Sequence, residues 1–352
     1  MRTPRGVKVP RAGPGAPEAT AASMSGMRGT RLLLALLLGC QHPEPAYAPP
    51  APGPLPLAPP APSDPDALGT LEDRFVDFAF DGGQLEFEIY RQGVTLVQVV
   101  RNRYAVPVVI AWALSNLDNL APATSTAGVA YLPPATTPGG LGPGVVLARL
   151  DQIDVQRVFR RRLDFRARFG DPRARPTPYT YALPYPVGLT FAVLQGFHGA
   201  FSHRGSNEYA IDFDCPVATP VLATRAGRVV VAHAAAQGAG TTPDHLDYKH
   251  TNFVIIRHDD GTLGEYMHLA PSSVLVRAGE EVTRLQPLAL SGNTGFSSTP
   301  HLHFQVMTAA TDGVSAISFP FRMAVAPGRL EEPALGRRYA AWETIAAPSA
   351  AP

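Results

Sequence analysis

The sequence predicts a protein that is built almost entirely of β-strands. Three observations support this fold class. Apolar and polar residues alternate with a period of two in long stretches after residue 70, and Gly and Pro clusters separate these stretches. No long segment shows the 3.6-residue period of an amphipathic helix. The pattern therefore predicts a small β-sandwich-like domain followed by a larger β-rich domain.

The charge balance limits the kinds of partner. The chain of 352 residues has 30 Lys and Arg against 29 Asp and Glu, a net charge of +1. Such a balance gives no basis for nucleic-acid binding or for broad electrostatic attraction to a membrane. The two cysteines, Cys40 and Cys215, do not form a disulfide framework.

Residues 1–40 have the features of a secretory signal, in which an Arg/Pro/Ala-rich stretch at residues 1–23 stands ahead of the apolar run. An apolar run at 32–38 follows basic residues and ends at Cys40, and it is too short to span a bilayer. The tetrapeptide Leu-Leu-Gly-Cys at 37–40 also resembles a bacterial lipobox, whose Cys is lipidated. Two outcomes remain open: lipidation of Cys40, with membrane contact through that lipid, and simple secretion. A start of translation at Met24 or Met27 instead of Met1 also remains open.

Residues 41–68 are rich in Pro and Ala and predict an extended linker, because such a composition favours polyproline conformation and cannot form a core. Residues 69–188 predict a β accessory domain. Apolar residues alternate with polar ones at 85–90 and at 162–169, as expected of half-buried strands, and the Val-rich stretch 94–113 fits two strands. This region has no His/Cys/Asp cluster, so a packing role and a substrate-binding role both remain open.

The strand pattern continues over residues 189–325, now with histidines, and this is the predicted functional domain. Residues 326–352 form the predicted C-terminal tail. Within it, Leu335, Tyr339 and Trp342 would lie close to one face of a short helix, which we expect over 330–344.

A His-x-His motif is the first candidate for chemistry. On a strand, His301 and His303 share one face while Leu302 and Phe304 share the other. The two imidazoles can therefore bind one metal ion together, or one can bind it while the other flanks the attacking water. Two surface histidines give the same pattern, so the motif alone is a weak signal.

Asp212 strengthens the signal because it lies between Ile211 and Phe213, and an unpaired buried carboxylate is unfavourable. A cation is the obvious partner. His203, Asp212 and His303 would supply two imidazoles and one carboxylate and leave a fourth position open, which is the ligand count of a catalytic zinc site. Asp214 remains an alternative carboxylate on these grounds.

The order of these residues resembles the lysostaphin-like (LytM-type) zinc peptidases across about residues 195–306. The landmarks are His203 and Asp212, then Ala218-Thr219-Pro220-Val221, then Tyr266-Met267-His268-Leu269, then Ser291-Gly292-Asn293-Thr294-Gly295 and Pro300-His301-Leu302-His303-Phe304. The resemblance implies an all-β dominated fold with a C-terminal lysostaphin-like peptidase domain. It also implies a Zn2+ ion held by His203, Asp212 and His303, with His268 and His301 beside the water. The spacing to Thr219-Pro220-Val221 in the family favours Asp212 over Asp214.

Three departures from the family pattern stand out. The gap between the first His and the Asp is nine residues (212 − 203), where four is common. Ala218 stands where Gly is usual, and Gln305 stands where Glu is common. None of these changes a ligand, so we expect effects on the cleft rim, local packing or hydrogen bonding around the site.

The function expected from the resemblance is zinc-dependent hydrolysis of peptide bonds in peptidoglycan. No His-Glu-x-x-His motif is present, so a histidine would serve as general base. We expect His301 in that role and His268 as the group that orients the water, although the two roles can be exchanged. The location would be the bacterial cell envelope, as a periplasmic or outer-membrane lipoprotein, or outside the cell. A non-catalytic regulator of cell-wall amidases and a zinc peptidase with non-wall substrates are the alternatives.

Overall fold

The computed structural model describes residues 68–76, 84–137, 139–246 and 248–343. These residues form strands and three short 3-10 helices, and no α-helix is present among them. The predicted all-β fold class is therefore confirmed. The predicted signal segment, Cys40 and nearly all of the linker lie outside the described residues, as does the end of the tail. No helix in the described part of the chain has the length and hydropathy needed to cross a membrane.

The first eight strands form two sheets that face each other. Their bounds are β1 Thr70–Val76, β2 Leu85–Gln92, β3 Thr95–Asn102, β4 Val108–Asp118, β5 Leu120–Pro122, β6 Ala127–Leu132, β7 Val145–Gln152 and β8 Arg160–Phe169. One sheet has the order β1-β2-β3-β7-β5 and the other β6-β4-β8. Leu85, Phe87, Ile110 and Trp112 are among the residues of their shared apolar core, as expected of a sandwich.

The polar face of β2 is not open to solvent, which corrects the expectation of a half-buried strand. Glu86 and Glu88 are both fully buried. Arg103 Nη2 lies 2.5 Å from Glu86 Oε2, and Arg101 Nε lies 2.9 Å from Glu88 Oε2. Burial of these carboxylates is tolerated because Arg101 on the neighbouring strand β3 and Arg103, one residue beyond its end, pair with them.

The remaining strands build the second region. Their bounds are β9 Thr180–Tyr181, β10 Thr190–Gln195, β11 Ile211–Phe213, β12 Pro220–Leu222, β13 Gly227–His233, β14 Ala239–Gly240, β15 Phe253–Arg257, β16 Leu263–Met267, β17 Glu281–Val282, β18 Pro287–Leu290, β19 Gly295–Phe296, β20 Leu302–Ala309, β21 Ala316–Phe319, β22 Arg322–Ala326, β23 Arg329–Glu331 and β24 Arg338–Ala340. The 3-10 helices are Gly205–Asn207, Pro243–His245 and Tyr248–His250. The main sheet has the order β17-β13-β15-β16-β20-β11-β10-β24, with β21 also paired to β20.

The two faces of this main sheet pack into different cores. On β20, Phe304 and Val306 belong to a core formed within the second region, whereas Met307 packs into the core of the sandwich. Alternate residues of a strand share a face, so His303 lies on the same face as Met307. The sandwich therefore covers one end of the face that carries the histidines. The predicted domain limits at 188/189 and 325/326 stay predictions.

The helix expected over residues 330–344 was wrong. The segment contains the short strands β23 and β24, and Tyr339 of β24 pairs with Phe191 of β10. Pro333 and Gly336 explain the difference, because proline lacks a backbone donor and Gly336 has a φ of +76°, outside the helical region.

Candidate functional site

Strand pairing brings Asp212 and His303 together. Asp212 is the central residue of β11, and it lies directly opposite His303 on the antiparallel strand β20. Side chains at directly opposed positions lie on the same face of a sheet. His303 Nδ1 is 2.9 Å from Asp212 Oδ1 as a result.

His203 reaches the same carboxylate from the loop between β10 and β11. Its Nδ1 contacts the carbonyl oxygen of Gly196 at 2.9 Å. A carbonyl only accepts, so Nδ1 carries the hydrogen and Nε2 keeps its lone pair. Nε2 lies 3.1 Å from Asp212 Oδ2, but it is buried and has no hydrogen-bond partner.

These three residues form a buried cluster with the composition of a metal site. His203 is 0% exposed, and Asp212 and His303 are each 4% exposed. One potential ligand atom from each lies within 4.8 Å of the other two. Burial raises the pKa of the Asp212 carboxyl, but the imidazoles of His203 and His303 outweigh this effect and hold the pKa well below its usual range.

His268 and His301 adjoin the cluster. Their ring centroids are 4.5 Å apart, and His301 Nε2 lies 3.8 Å from Asp212 Oδ1. His268 Nδ1 contacts the carbonyl oxygen of Thr294 at 2.7 Å, and His301 Nδ1 contacts that of Thr299 at 2.8 Å. Both Nδ1 atoms are thus occupied by carbonyl acceptors, and each Nε2 keeps a lone pair.

The surroundings of His268 disfavour its charged form. Burial, followed by the neighbouring His301 and His303, lowers the pKa of His268 to about 3. His268 also has a φ of +61°, in the left-handed region that non-glycine residues seldom adopt. The strained backbone turns the chain immediately after β16, where the side chain meets the cluster.

The structure therefore brings together all five residues singled out in the sequence, and it excludes Asp214 from the cluster. Asp214 is exposed, whereas Asp212 is buried. β11 ends at Phe213, so Asp214 lies just outside the strand that carries Asp212.

Gln195 is a site residue that the sequence reasoning did not identify. Its Nε2 donates to Asp212 Oδ2 at 2.8 Å and to Ser202 Oγ at 2.9 Å. Its Oε1 accepts from the backbone N–H groups of Phe201 and Ser202, both at 3.1 Å. The available signal was an uncharged amide that follows the apolar run at 191–194 of β10, just before the loop that carries His203.

The structure shows the surroundings of two departures from the family pattern, Ala218 and Gln305. Ala218 has a φ of +71°, the conformation that glycine adopts with least strain. Gln305 is 2% exposed, and its Nε2 donates to Glu265 Oε2 at 2.6 Å. Glu265 is also buried and accepts from the Tyr248 hydroxyl at 2.8 Å, so the amide at 305 supplies a donor where a second carboxylate would have none.

The fold and this cluster define a β-rich protein with a buried site of two imidazoles and one carboxylate, flanked by two more histidines. Residues 206–315 match the model of peptidase family M23. The chain is 40% identical over 87 residues to lipoprotein NlpD of Yersinia enterocolitica, covering 25% of this chain and 75% of that protein. The chain belongs to peptidase family M23, and the resemblance seen in the sequence is confirmed.

Two further matches are to a curated endopeptidase and to a solved peptidase domain. The peptidoglycan DD-endopeptidase ShyA of Vibrio cholerae serotype O1 is 33% identical over 127 residues, covering 35% of this chain and 26% of ShyA. The chain thus spans about a quarter of the length of that relative. The solved catalytic domain of lysostaphin from Staphylococcus simulans is 30% identical, with 40% of this chain and 85% of that chain covered and a TM-score of 0.25.

Proposed function

We propose that the protein is a zinc-dependent endopeptidase that hydrolyses peptide bonds in peptidoglycan stem peptides or cross-bridges. The observation that carries this proposal is the buried cluster of His203, Asp212 and His303, with two further imidazoles beside it. A buried carboxylate surrounded by imidazoles is the arrangement expected around a cation.

The donor set fits zinc. Two imidazole nitrogens and one carboxylate oxygen are ligands that Zn2+ prefers, and three protein ligands leave a position for water, as in catalytic sites. His203 Nε2 faces the carboxylate without a hydrogen bond, so its lone pair is available to a metal. Two hydrogen bonds orient these ligands: the Gly196 carbonyl accepts from His203 Nδ1, and Gln195 Nε2 donates to Asp212 Oδ2. A bound zinc ion would lower the pKa of water to ~7 and polarise the carbonyl of the peptide bond.

His301 is assigned as the general base and His268 as the residue that orients the water or stabilises the developing oxyanion. In each of them the Nδ1–H is held by a backbone carbonyl, so only Nε2 can take or share a proton. His301 Nε2 lies 3.8 Å from the proposed ligand Asp212, measured to its Oδ1 atom, and this distance supports the role of base. Exchange of the two roles is the alternative.

The substrate class is supported by a relative and not by a bound ligand. ShyA is described as a peptidoglycan DD-endopeptidase and is 33% identical to this chain over 127 residues. The family match over residues 206–315 contains Asp212, His268, His301 and His303, and it begins three residues after His203. Peptidoglycan lies outside the cytoplasmic membrane, so the proposed substrate agrees with export of the chain to the cell envelope or beyond. A lipid on Cys40 would hold the protein at a membrane and let the linker extend the folded region toward the wall.

Digestion of purified sacculi tests the proposal. We expect the purified protein to release peptides with new termini at one type of peptide bond, as identified by mass spectrometry. A chelator should abolish the release, and added zinc should restore it. His303→Ala should be inactive, and a protein mixture incubated under the same conditions should stay intact. Release that survives both the chelator and His303→Ala would overturn the proposal, whereas digestion of the protein mixture would redirect it to non-wall substrates.

A further inference from the structure

Two aromatic rings lie at the rim of the site, and the proposed chemistry does not use them. Phe201 is 63% exposed although it is only two residues before the ligand candidate His203. Its ring stacks against that of Phe296, with centroids 6.4 Å apart and an angle of 17° between the planes. A single exposed apolar residue is ordinary, but two stacked aromatic rings beside a polar site form an apolar patch, and such patches mark binding surfaces more often.

Phe201 is held in place by the same side chain that holds Asp212. Gln195 Oε1 accepts from the N–H groups of Phe201 and Ser202, while its Nε2 donates to Asp212 Oδ2. Its Nε2 also donates to Ser202 Oγ, so both donors and both acceptor positions of the Gln195 amide are used. The backbone of Phe201 is therefore fixed relative to the carboxylate of the site.

Phe296 is fixed relative to the histidines. It belongs to β19, which pairs in parallel with β14 so that Gly240 lies opposite Phe296. The next residue, Ser297, donates its N–H to the carbonyl oxygen of Gly240 at 3.1 Å, and its Oγ lies 3.2 Å from His301 Nδ1. The second ring is thus one residue away from a group that contacts His301.

An exposed apolar surface that is already ordered loses little conformational entropy when a ligand covers it. Stacked aromatic rings offer a flat apolar face to which aliphatic C–H groups bind favourably. We propose that Phe201 and Phe296 form an apolar subsite that holds an uncharged aliphatic part of the substrate beside the bond that is cut. This inference rests on the proposed function, since it names a contact of the same substrate.

The subsite makes a contact present in both the bound substrate and the transition state, so its loss should raise KM more than it lowers kcat. We expect Phe201→Ala to reduce kcat/KM about tenfold on peptidoglycan fragments solubilised with a muramidase. Phe201→Leu, which keeps an apolar side chain, should recover most of the loss, and Phe201→Glu should not. Zinc content should equal that of the wild type in all three variants.

Ile153→Ala is the matched control. Ile153 is an exposed apolar residue, 71% accessible, on the loop between β7 and β8, and it contacts none of the site residues. This variant should behave as the wild type. If Phe201→Ala behaves like Ile153→Ala, or if Phe201→Glu is as active as Phe201→Leu, the subsite does not exist.

A binding measurement separates failure of the subsite from failure of the proposed function. In the His301→Ala background, pelleting with intact sacculi gives an apparent Kd that does not depend on turnover. Adding Phe201→Ala should weaken this Kd about tenfold, and adding Ile153→Ala should leave it unchanged. Wild-type protein that cleaves nothing refutes the proposed function. Cleavage by the wild type with an unchanged Kd for Phe201→Ala refutes the subsite alone.

Discussion

Replacing Ala218 by glycine should make the protein more stable, although glycine substitutions usually do the opposite. Ala218 has a φ of +71°. Its N–H donates to the carbonyl oxygen of Ser291 at 2.8 Å, and the N–H of Ser291 donates to the carbonyl oxygen of Thr219 at 2.8 Å. These bonds tie the turn to the segment that leads toward His301, so the backbone cannot relax to a more favourable φ.

The expected gain is the difference between two opposing effects. The left-handed conformation costs a residue with a Cβ roughly 1–2 kcal/mol, and glycine avoids that strain. Glycine also gives the unfolded chain more conformational freedom, which lowers stability by roughly 0.5–1 kcal/mol. Ala218 is exposed, so no buried methyl group is lost. The net prediction is a stabilisation of about 0.75 kcal/mol, the middle of a range of about 0–1.5 kcal/mol.

Urea unfolding followed by circular dichroism measures this difference, with Ala121→Gly as the control. Ala121 is an exposed residue in the strand β5 and is not among the residues with positive φ. Its replacement should destabilise the protein by roughly 0.5–1 kcal/mol. The same chemical change should therefore shift the urea midpoint in opposite directions at the two positions. A lower midpoint for both variants would refute the argument from strain.

Other predictions follow from buried polar contacts. The Asp260 side chain is 2% exposed and accepts from Arg225 Nη1 at 2.8 Å, so Asp260→Asn should lower the free energy of unfolding by about 2–3 kcal/mol in urea melts at pH 7. Burial raises the pKa of Asp260, but hydrogen bonds outweigh it and the pKa is lowered, so the stabilisation is present above about pH 4 and lost as the pH falls below it. The two proteins should therefore converge in stability in acid, and a difference that is independent of pH would argue against this ion pair. Gln195→Ala should weaken zinc binding about 10-fold, measured by competition with a chelator, because Asp212 loses its supporting donor; an unchanged affinity would show that Gln195 does not position the carboxylate.

Much of the site could be predicted because its residues follow local rules. His301 and His303 lie in a strand, and the apolar neighbours of Asp212 indicate burial of a carboxylate. The choice between Asp212 and Asp214 needed the family spacing, and the structure supports it through their different exposure. The metal and catalytic roles of the five residues remain proposals.

The features that the sequence did not predict depend on contacts between distant segments. The amide at the end of β10 marks Gln195 as unusual, but the local sequence does not show that its partners are Asp212 and the loop that carries His203. The burial of Glu86 and Glu88 could not be predicted from the sequence of β2, because their partners Arg101 and Arg103 lie on β3 and just after it. The error at residues 330–344 had a local cause instead, since Pro333 and Gly336 oppose a helix and outweigh the spacing of three apolar residues.

Metal analysis of purified variants tests the central claim most directly. His203→Ala, Asp212→Ala and His303→Ala should each lose the zinc that the wild type holds at one ion per chain. His268→Ala and His301→Ala should keep zinc and fail to digest sacculi. This division between three metal-free variants and two inactive variants that retain zinc is the predicted result. Full zinc in His203→Ala or His303→Ala, or loss of zinc in His301→Ala, would contradict the assignment of the ligands.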